Sequence, residues 1–257
     1  MKIACIQQNH NPGNVGENRA KALKNAAKAL EMNADIILFH EEMLVGYHPC
    51  FRELAEPVDG ETTKAFRNLL SGTKAKIIYG LTESAKEGYY ISAPVVTAQG
   101  VAANYRKTHL WWKDSGVRDE TAGFLPGDSL TVFEHDGFRY GLLICYDGDF
   151  PEMFRAYAKR GCAGVFWMNN RENRGHLDRC MRGALDNSLI VATSCCCGFD
   201  ERGRFSSGLS NIVDCDGTLL GELDGREGIV FADVIPERAE ILRACNPWYA
   251  GMRPELF

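Results

Sequence analysis

One twelve-residue stretch, 141–152, constrains the fold of this chain most, because a buried strand in it runs directly into a turn and a helix. Its first four residues, GLLI, are apolar or glycine and predict a short buried strand that ends at Cys145. Polar residues, glycine and proline follow, and then MFRAYAKRG has the apolar spacing of a helix. Cys145 is therefore expected at the rigid end of a sheet, near backbone N–H groups that stabilise a thiolate or an oxyanion. The alternative is a buried structural cysteine, which is the commoner role of a single thiol.

Strands and helices mix along the whole chain, without a repeat, a low-complexity segment or a linker. Apolar runs predict buried strands at 34–39 and 164–168, and an amphipathic pattern predicts a helix over 17–32. A long irregular segment at 111–127 contains a tryptophan pair, and a loop of this length in a compact domain is usually functional. We therefore expect a single α/β domain over residues 1–257, with a large mixed sheet or two packed sheets.

Composition and charge argue against several classes of partner. The net charge is −5, from 29 basic and 34 acidic residues, so it gives no reason to expect binding to nucleic acid or to a membrane surface. No apolar run approaches the roughly 20 residues that a membrane span needs. The N-terminal apolar run is also too short for a signal peptide. We therefore expect a cytoplasmic protein.

The ten cysteines are expected to be free thiols, because several lie in strand-like runs of a long chain of cytosolic character. Three of them are adjacent, Cys195, Cys196 and Cys197. Successive side chains of a strand point to opposite faces, so these three cannot all reach one ion. No CxxC pair accompanies them, and the sequence therefore predicts neither a metal nor another cofactor.

Reactive residues follow the ends of three predicted strands. Glu41 and Glu42 come after the strand at 34–39, Lys107 comes after a predicted hairpin, and Cys145 ends a third strand. A thiol nucleophile needs a base, which a buried carboxylate can provide, and a nearby lysine can stabilise an oxyanion. Because successive side chains of a strand diverge, at most one of the two glutamates is expected to enter a pocket.

Four stretches resemble the motifs of the nitrilase superfamily of carbon–nitrogen hydrolases, in the same order and at compatible spacings. They are FHEEMLVGY at 39–47, YRKTHL at 105–110, ETAGFLPGD at 120–128 and CYDGDFPE at 145–152. Weaker resemblance covers nearly the whole chain, down to the terminal RPELF. His40 stands where the family usually has proline, which leaves the register of Glu41 unchanged.

The resemblance implies a four-layer α-β-β-α sandwich that dimerises through its helices, and hydrolysis through a thioester without a metal or cofactor. It implies that Cys145 is the nucleophile and that Glu41 is the base that takes the thiol proton. Lys107 and the backbone N–H of Tyr146 are then expected to hold the oxyanion. Glu120 matches the second carboxylate of the family, which orients the substrate, the lysine or the attacking water.

The residues after the nucleophile resemble the amidase side of the superfamily. The chain has Tyr146–Asp147, where true nitrilases tend to carry Trp–Glu. A small amide or an N-carbamoyl amine is therefore the predicted substrate. Two alternatives stay open, which are a nitrilase and a catalytically silent member that acts as a binding or scaffold protein.

Polar residues that follow the predicted strand at 164–168 suggest how a substrate is bound. This strand is expected beside the Cys145 strand, because parallel strands joined by a helix usually neighbour one another. An arginine at the pocket mouth can grip a carboxylate with two hydrogen bonds, so an acidic substrate is one hypothesis. The alternative is a solvated loop, or an arginine paired with Glu172 or with a dimer neighbour. The candidates from this loop are Asn169, Asn170, Arg171 and Arg174. Candidate aromatic walls, for which core or dimer packing is the alternative, are Tyr47, Trp111, Trp112 and Trp167.

Overall fold

Two mixed β-sheets form the centre of the molecule in the computed structural model, which describes residues 1–112, 119–200, 203–248 and 250–256. The strands are β1 (Lys2–Gln7), β2 (Ile36–Leu38), β3 (Lys76–Ile78), β4 (Leu81–Ala85), β5 (Gly88–Thr97), β6 (Gly100–Arg106), β7 (Val132–His135), β8 (Phe138–Ile144), β9 (Cys162–Asn169), β10 (Ile190–Cys195), β11 (Cys197–Phe199), β12 (Phe205–Ser207), β13 (Asn211–Val213), β14 (Leu219–Glu222) and β15 (Gly228–Asp233). The helices are α1 (Val15–Glu31), α2 (Phe51–Leu54), α3 (Glu61–Leu69), α4 (Pro151–Lys159), α5 (Gly175–Leu185) and α6 (Glu237–Cys245). Residues 113–118 of the predicted irregular segment lie outside the described residues.

The first sheet has seven strands in the order β15-β1-β2-β3-β5-β4, with β6 also paired to β5. Its centre is parallel, because β1 pairs with β2 and β2 pairs with β3 in the same direction. The second sheet has the order β14-β13-β10-β9-β8-β7, and β8, β9 and β10 are parallel. The carboxyl ends of β2 and β8, where Glu41 and Cys145 follow, are therefore the ends of parallel strands, as α/β sites require.

Alternating side chains explain why the two sheets stack. In β8, Leu142 and Ile144 point into a core shared with the first sheet, while Leu143 points to the opposite face. β9 repeats this pattern, with Phe166 directed inward and Trp167 directed outward. Each such fully buried side chain contributes roughly 1.5–3 kcal/mol to folding, so both faces of the strands must be covered.

Helices cover the outer face of each sheet. Ala22 and Ala26 of α1 and Phe66 of α3 pack on the first sheet. Phe154 of α4 and Cys180 of α5 pack on the second. The order of layers is therefore helix, sheet, sheet, helix, and the predicted four-layer sandwich is confirmed.

The apolar run KIIYGL at 76–81 predicts a single strand, which is in fact divided at Gly80 into β3 and β4. A Cβ atom at Gly80 would lie 2.4 Å from the His40 oxygen and 2.5 Å from the Glu42 nitrogen. Only glycine can therefore bring the end of β3 so close to the turn that carries Glu41. No helix among the described residues is long and apolar enough to cross a membrane.

Candidate active site

Two carboxylates and one ammonium group meet in a buried cluster at the ends of β2 and β6. Lys107 Nζ donates hydrogen bonds to Glu41 Oε1 at 2.7 Å and to Glu120 Oε1 at 2.6 Å. The side chains of Glu41 and Lys107 are fully buried, and that of Glu120 is 2% exposed. The structure therefore brings together three of the four predicted catalytic residues through direct contacts.

Backbone and side-chain contacts hold Lys107 and Glu120 in place. The Lys107 N–H donates to the Ile91 carbonyl at 2.8 Å, so the lysine extends the β5–β6 ladder by one residue. Glu120 Oε2 accepts from the Trp111 N–H at 2.7 Å, and Glu120 Oε1 accepts from the Tyr47 hydroxyl at the same distance. This contact of the Tyr47 hydroxyl does not follow from the sequence, which indicates Tyr47 only as a candidate pocket wall.

Cys145 stands at the sharp turn that ends β8. Its φ of +43° lies in the left-handed region, which is uncommon for a residue with a side chain and costs about 1–3 kcal/mol. A short 3₁₀ turn, Cys145–Asp149, follows it and leads into α4. The neighbouring structure must hold this conformation, and it does so through two sets of hydrogen bonds.

Asp147 provides the first set of these bonds. Its Oδ2 accepts from the Ile144 N–H at 3.0 Å and from the Tyr105 hydroxyl at 2.9 Å. Its Oδ1 accepts from the Thr108 hydroxyl at 3.0 Å and from the His109 N–H at 2.9 Å. One buried carboxylate therefore joins the Cys145 turn to the segment that carries Lys107. The motif CYDGDFPE contains this residue, but its sequence alone does not show this role.

Arg171 provides the second set. Its Nη2 donates to the Cys145 carbonyl at 2.6 Å and to Asp149 Oδ1 at 2.5 Å, and its Nε donates to Asn169 Oδ1 at 2.9 Å. A bidentate grip on a carboxylate uses Nη2 together with either Nε or Nη1, and both hydrogens of Nη2 are already engaged. The guanidinium lines the pocket and holds the turn, whereas one hypothesis from the sequence was a grip on a substrate carboxylate.

The charges of the cluster shift several pKa values. Burial and the nearby Glu41 carboxylate together raise the pKa of the Cys145 thiol to about 12, although the positive charges of Arg171 and Lys107 act in the opposite direction. Burial alone would lower the pKa of Lys107, but Glu120 and Glu41 together hold it above its ordinary value. Burial also raises the pKa of Glu120. The resting site therefore holds a neutral thiol beside a charged lysine.

Glu42 is buried as well, but it faces a different neighbour. The Thr82 hydroxyl donates to Glu42 Oε2 at 2.5 Å. Burial raises the pKa of Glu42 to about 8, and the carboxylates of Glu41 and Glu120 contribute to this rise. Within the described residues, Glu41 bonds to Lys107 whereas Glu42 bonds to Thr82, as the divergence of neighbouring side chains predicts.

A pocket of about 160 Å³ opens onto Cys145 and Glu120. Its other walls are Tyr47, Trp111, Tyr146, Asn170, Arg171, Glu172 and Asn173. Asn169 lies beneath this surface, fully buried, where it accepts the Arg171 bond. Trp167 is also buried, and its Nε1 donates to the Cys145 carbonyl at 3.1 Å. Trp112 and Arg174 are exposed and do not line the pocket.

Comparison with known sequences decides the family. The sequence model of the carbon–nitrogen hydrolases matches residues 2–244. This chain belongs to the carbon–nitrogen hydrolase family. An (R)-stereoselective amidase of a Pseudomonas species is 32% identical over 234 residues, which are 89% of this chain and 82% of that protein. The human omega-amidase NIT2 is 29% identical over 80% of this chain and 78% of its own length.

Solved structures agree with the fold of this hydrolase. An amidase from a Nesterenkonia species is 26% identical, with a TM-score of 0.81 over 97% of this chain and 96% of that one. One structure of that amidase shows the result of Michael addition of acrylamide at its active-site cysteine. The superfamily protein XC1258 from Xanthomonas campestris has a TM-score of 0.88 at 20% identity over 98% of this chain and 97% of that one, a similarity of fold alone.

Proposed function

We propose that this carbon–nitrogen hydrolase cleaves small amides or N-carbamoyl compounds through a thioester on Cys145. The observation that carries the proposal is the buried bridge of Lys107 between Glu41 and Glu120, beside a pocket that contains both Glu120 and Cys145. Perturbed, buried ionisable groups beside a nucleophile in a cleft are typical of catalytic sites. The amidase relatives support the choice of amide substrates.

Acylation begins from the neutral thiol. Because the pKa of Cys145 is near 12, little thiolate exists at pH 7, and the proton must leave as the sulfur attacks. Glu41 accepts that proton, and the C–S bond forms at the amide carbon. The tetrahedral oxyanion is held by Lys107 Nζ and the Tyr146 N–H. Glu41 then returns the proton to the leaving nitrogen as the C–N bond breaks, which releases ammonia or an amine.

Deacylation reverses the proton path. Glu41 takes a proton from a water molecule, whose oxygen attacks the thioester carbon. The C–S bond then breaks, the acid leaves, and Cys145 recovers its proton. Glu120 keeps Lys107 pointed at the reacting carbonyl, and Tyr47 in turn fixes Glu120. A fixed ammonium group needs no reorganisation when the oxyanion forms, which is why such a bridge favours catalysis.

The pocket supports a small substrate. Tyr47, Trp111 and Tyr146 contribute aromatic walls, and Trp111 meets Tyr146 edge to face at 5.0 Å between ring centroids. Asn170 and Asn173 add polar groups at the same pocket. Since Arg171 is engaged by the Cys145 turn, neutral amides are expected to bind as well as acidic ones.

Ammonia or amine release tests the proposal. The enzyme is assayed with short amides, N-carbamoyl amines and nitriles, with the Cys145→Ala variant as the blank. We expect turnover of amides or N-carbamoyl compounds, a mass increase of Cys145 by one acyl group during turnover, and none in the blank. Turnover of nitriles alone would establish the nitrilase alternative. Lack of turnover across all three classes would favour the scaffold alternative, and either result would overturn the proposal.

We also propose that the protein works as a homodimer through the α4–α5 layer. The resemblance to the superfamily implies such a dimer, and α5 exposes the apolar side chains of Met181 and Leu185. A groove beside them runs between α4 and α5. The cytoplasmic location stays a prediction from the sequence.

A further inference from the structure

A second cluster of reactive side chains lies outside the pocket, where the ends of the two sheets meet. It consists of His10 after β1, His40 after β2 and Cys196 between β10 and β11. Their ligand-type atoms all lie within 4.8 Å of one another, and all three residues are buried. The mechanism above uses none of them.

The His40 ring is arranged as a metal ligand. Its Nδ1 lies 2.8 Å from the Glu41 carbonyl, which can only accept, so Nδ1 carries the proton and Nε2 carries the lone pair. Nε2 is buried and has no hydrogen-bond partner among the described residues. Metal-bound histidines usually donate their second N–H in this way, which fixes the tautomer and the orientation of the ring. An unsatisfied buried lone pair otherwise costs about 1–3 kcal/mol.

His10 and Cys196 carry the other two ligand-type atoms of the cluster. His10 Nδ1 lies 3.2 Å from Cys196 Sγ, and the opposite edge of the ring, at Nε2, lies against Gly46. The rings of His10 and His40 have centroids 5.3 Å apart. Tetrahedral zinc, with bonds of about 2.0–2.3 Å, separates its ligand atoms by roughly 3.4–3.6 Å. The pair at 3.2 Å is close to this value, and the other separations, none above 4.8 Å, must close by at most about 1.4 Å.

We propose that His10, His40 and Cys196 form a binding site for a thiophilic divalent ion of the Zn²⁺ type. Two imidazole nitrogens and one thiolate suit Zn²⁺ better than the hard ions Mg²⁺ and Ca²⁺, which prefer oxygen. Binding replaces the Cys196 S–H bond with a metal–sulfur bond and releases the proton to solvent. The ion joins β1 and β2 of one sheet to the end of β10 of the other.

The adjacent cysteines explain why the sequence did not indicate this site. Three neighbouring thiols cannot converge on one ion, and Cys195 instead lies near the Ser207 hydroxyl. Cys196 meets histidines that are 186 and 156 positions away, a spacing that matches no linear metal motif. Cys197 is equally buried and adjacent, so it provides a matched control.

Metal titration tests the site independently of catalysis. The full chain carries Cys145→Ala and, to remove the two exposed thiols, Cys50→Ser and Cys245→Ser. Zn²⁺ affinity is measured by competition with a chromophoric chelator, and Co²⁺ is used to detect a sulfur-to-metal charge-transfer band. We expect one ion per chain, the charge-transfer band, and a rise in melting temperature with Zn²⁺.

Single substitutions in that background locate the ligands. Loss of a partner outside the first ligand shell already weakens metal binding about 10–100-fold. We therefore expect Cys196→Ser and His10→Gln to weaken Zn²⁺ binding at least about 100-fold, while Cys197→Ser binds like its parent. Circular dichroism verifies that each variant is folded, and His10→Gln provides the test if Cys196→Ser is not.

Three results would each overturn the inference. The first is the lack of one-to-one binding in the parent, and the second is undiminished affinity in folded Cys196→Ser and His10→Gln. The third is an equal loss of affinity in Cys197→Ser. Because the titration uses Cys145→Ala, none of these results bears on the proposed hydrolysis.

Discussion

At the scale of single residues, Glu41 and Glu42 show how one position in the chain changes the chemistry of a carboxyl group. Glu41 contacts Lys107, whereas Glu42 accepts from Thr82. We expect Glu41→Gln to abolish acylation, because the base is lost while its size is kept. Glu42→Gln, the matched control, should retain activity within a few-fold, because Glu42 is largely protonated at pH 7. Burst-phase and steady-state kinetics measure both variants, and active Glu41→Gln with inactive Glu42→Gln would reverse the assignment.

The raised pKa of Glu42 also makes a prediction about stability. Folding raises this pKa from an ordinary 4.5 to about 8, so the folded state binds a proton more tightly than the unfolded state. The resulting stabilisation is complete below pH 4.5 and is lost as the pH rises towards 8, at roughly 1.4 kcal/mol per pKa unit. Glu42→Gln removes this dependence. The difference in melting temperature, variant minus wild type, should therefore become more positive from pH 5 to pH 8. A difference that does not change with pH would contradict the prediction.

Lys107 tests the geometry of the proposed oxyanion site. Lys107→Arg keeps the positive charge but replaces a compact ammonium with a planar fork that cannot contact Glu41 and Glu120 in the same space. We expect kcat to fall about 10²-fold or more, as happens when an oxyanion donor is lost. Steady-state kinetics on the best amide provide the measurement. Retention of most of the activity would exclude a direct role for this lysine.

At the scale of elements, the turn between β8 and α4 depends on contacts from the end of β9. Arg171 and Trp167 both donate to the Cys145 carbonyl, and Asp149 completes the pair with Arg171. The positive φ of Cys145 is thereby held from outside the turn. The Cys145 side chain is positioned by two neighbouring parallel strands together, and neither strand alone specifies its orientation.

Arg171→Ala distinguishes this positioning role from substrate binding. If Arg171 holds the turn, kcat should fall about 10-fold or more, because a small misplacement of a nucleophile is costly. The fall should be the same for acidic and for neutral amides. Arg174→Ala, on the exposed start of α5, is the control and should leave both values unchanged. Matched pairs of acidic and neutral substrates provide the comparison. A rise of KM for the acidic substrates alone would instead support the hypothesis that Arg171 binds a substrate carboxylate.

At the scale of the whole molecule, both outer helix layers expose apolar side chains that could support self-association. Met181 on α5 is 45% exposed, and Met32 at the end of α1, on the opposite outer layer, is 55% exposed. If the α4–α5 layer forms the proposed dimer, Met181→Asp should convert dimers into monomers, because it buries an unpaired charge in the interface. Met32→Asp should leave the dimer intact. Light scattering after size-exclusion chromatography measures both, and an unchanged dimer in Met181→Asp would remove this face from the interface.

The sequence by itself determined most of the elements and the chemical types at their ends. The stretch FRYGLLI at 138–144 predicts a strand and forms β8, and the hairpin predicted from strands at 89–96 and 100–105 lies within one residue of β5 and β6. These predictions succeed because local apolar periodicity and turn residues are properties of neighbouring positions. The same locality explains why the apolar run at 76–81 does not form one strand, because the close approach of Gly80 to the backbone of His40 and Glu42 is a long-range contact.

Only the tertiary structure decided which of these residues meet. The contact between Lys107 and Glu41 spans 66 positions, and the contact between His10 and Cys196 spans 186. The first contact depends on the order of the strands in one sheet, and the second depends on how the two sheets stack. Both are set by the packing of many side chains, which leaves no mark in a local pattern. For the same reason, the sequence left the carboxylate grip of Arg171 as one hypothesis, and only the folded chain shows that Arg171 bonds to the Cys145 turn.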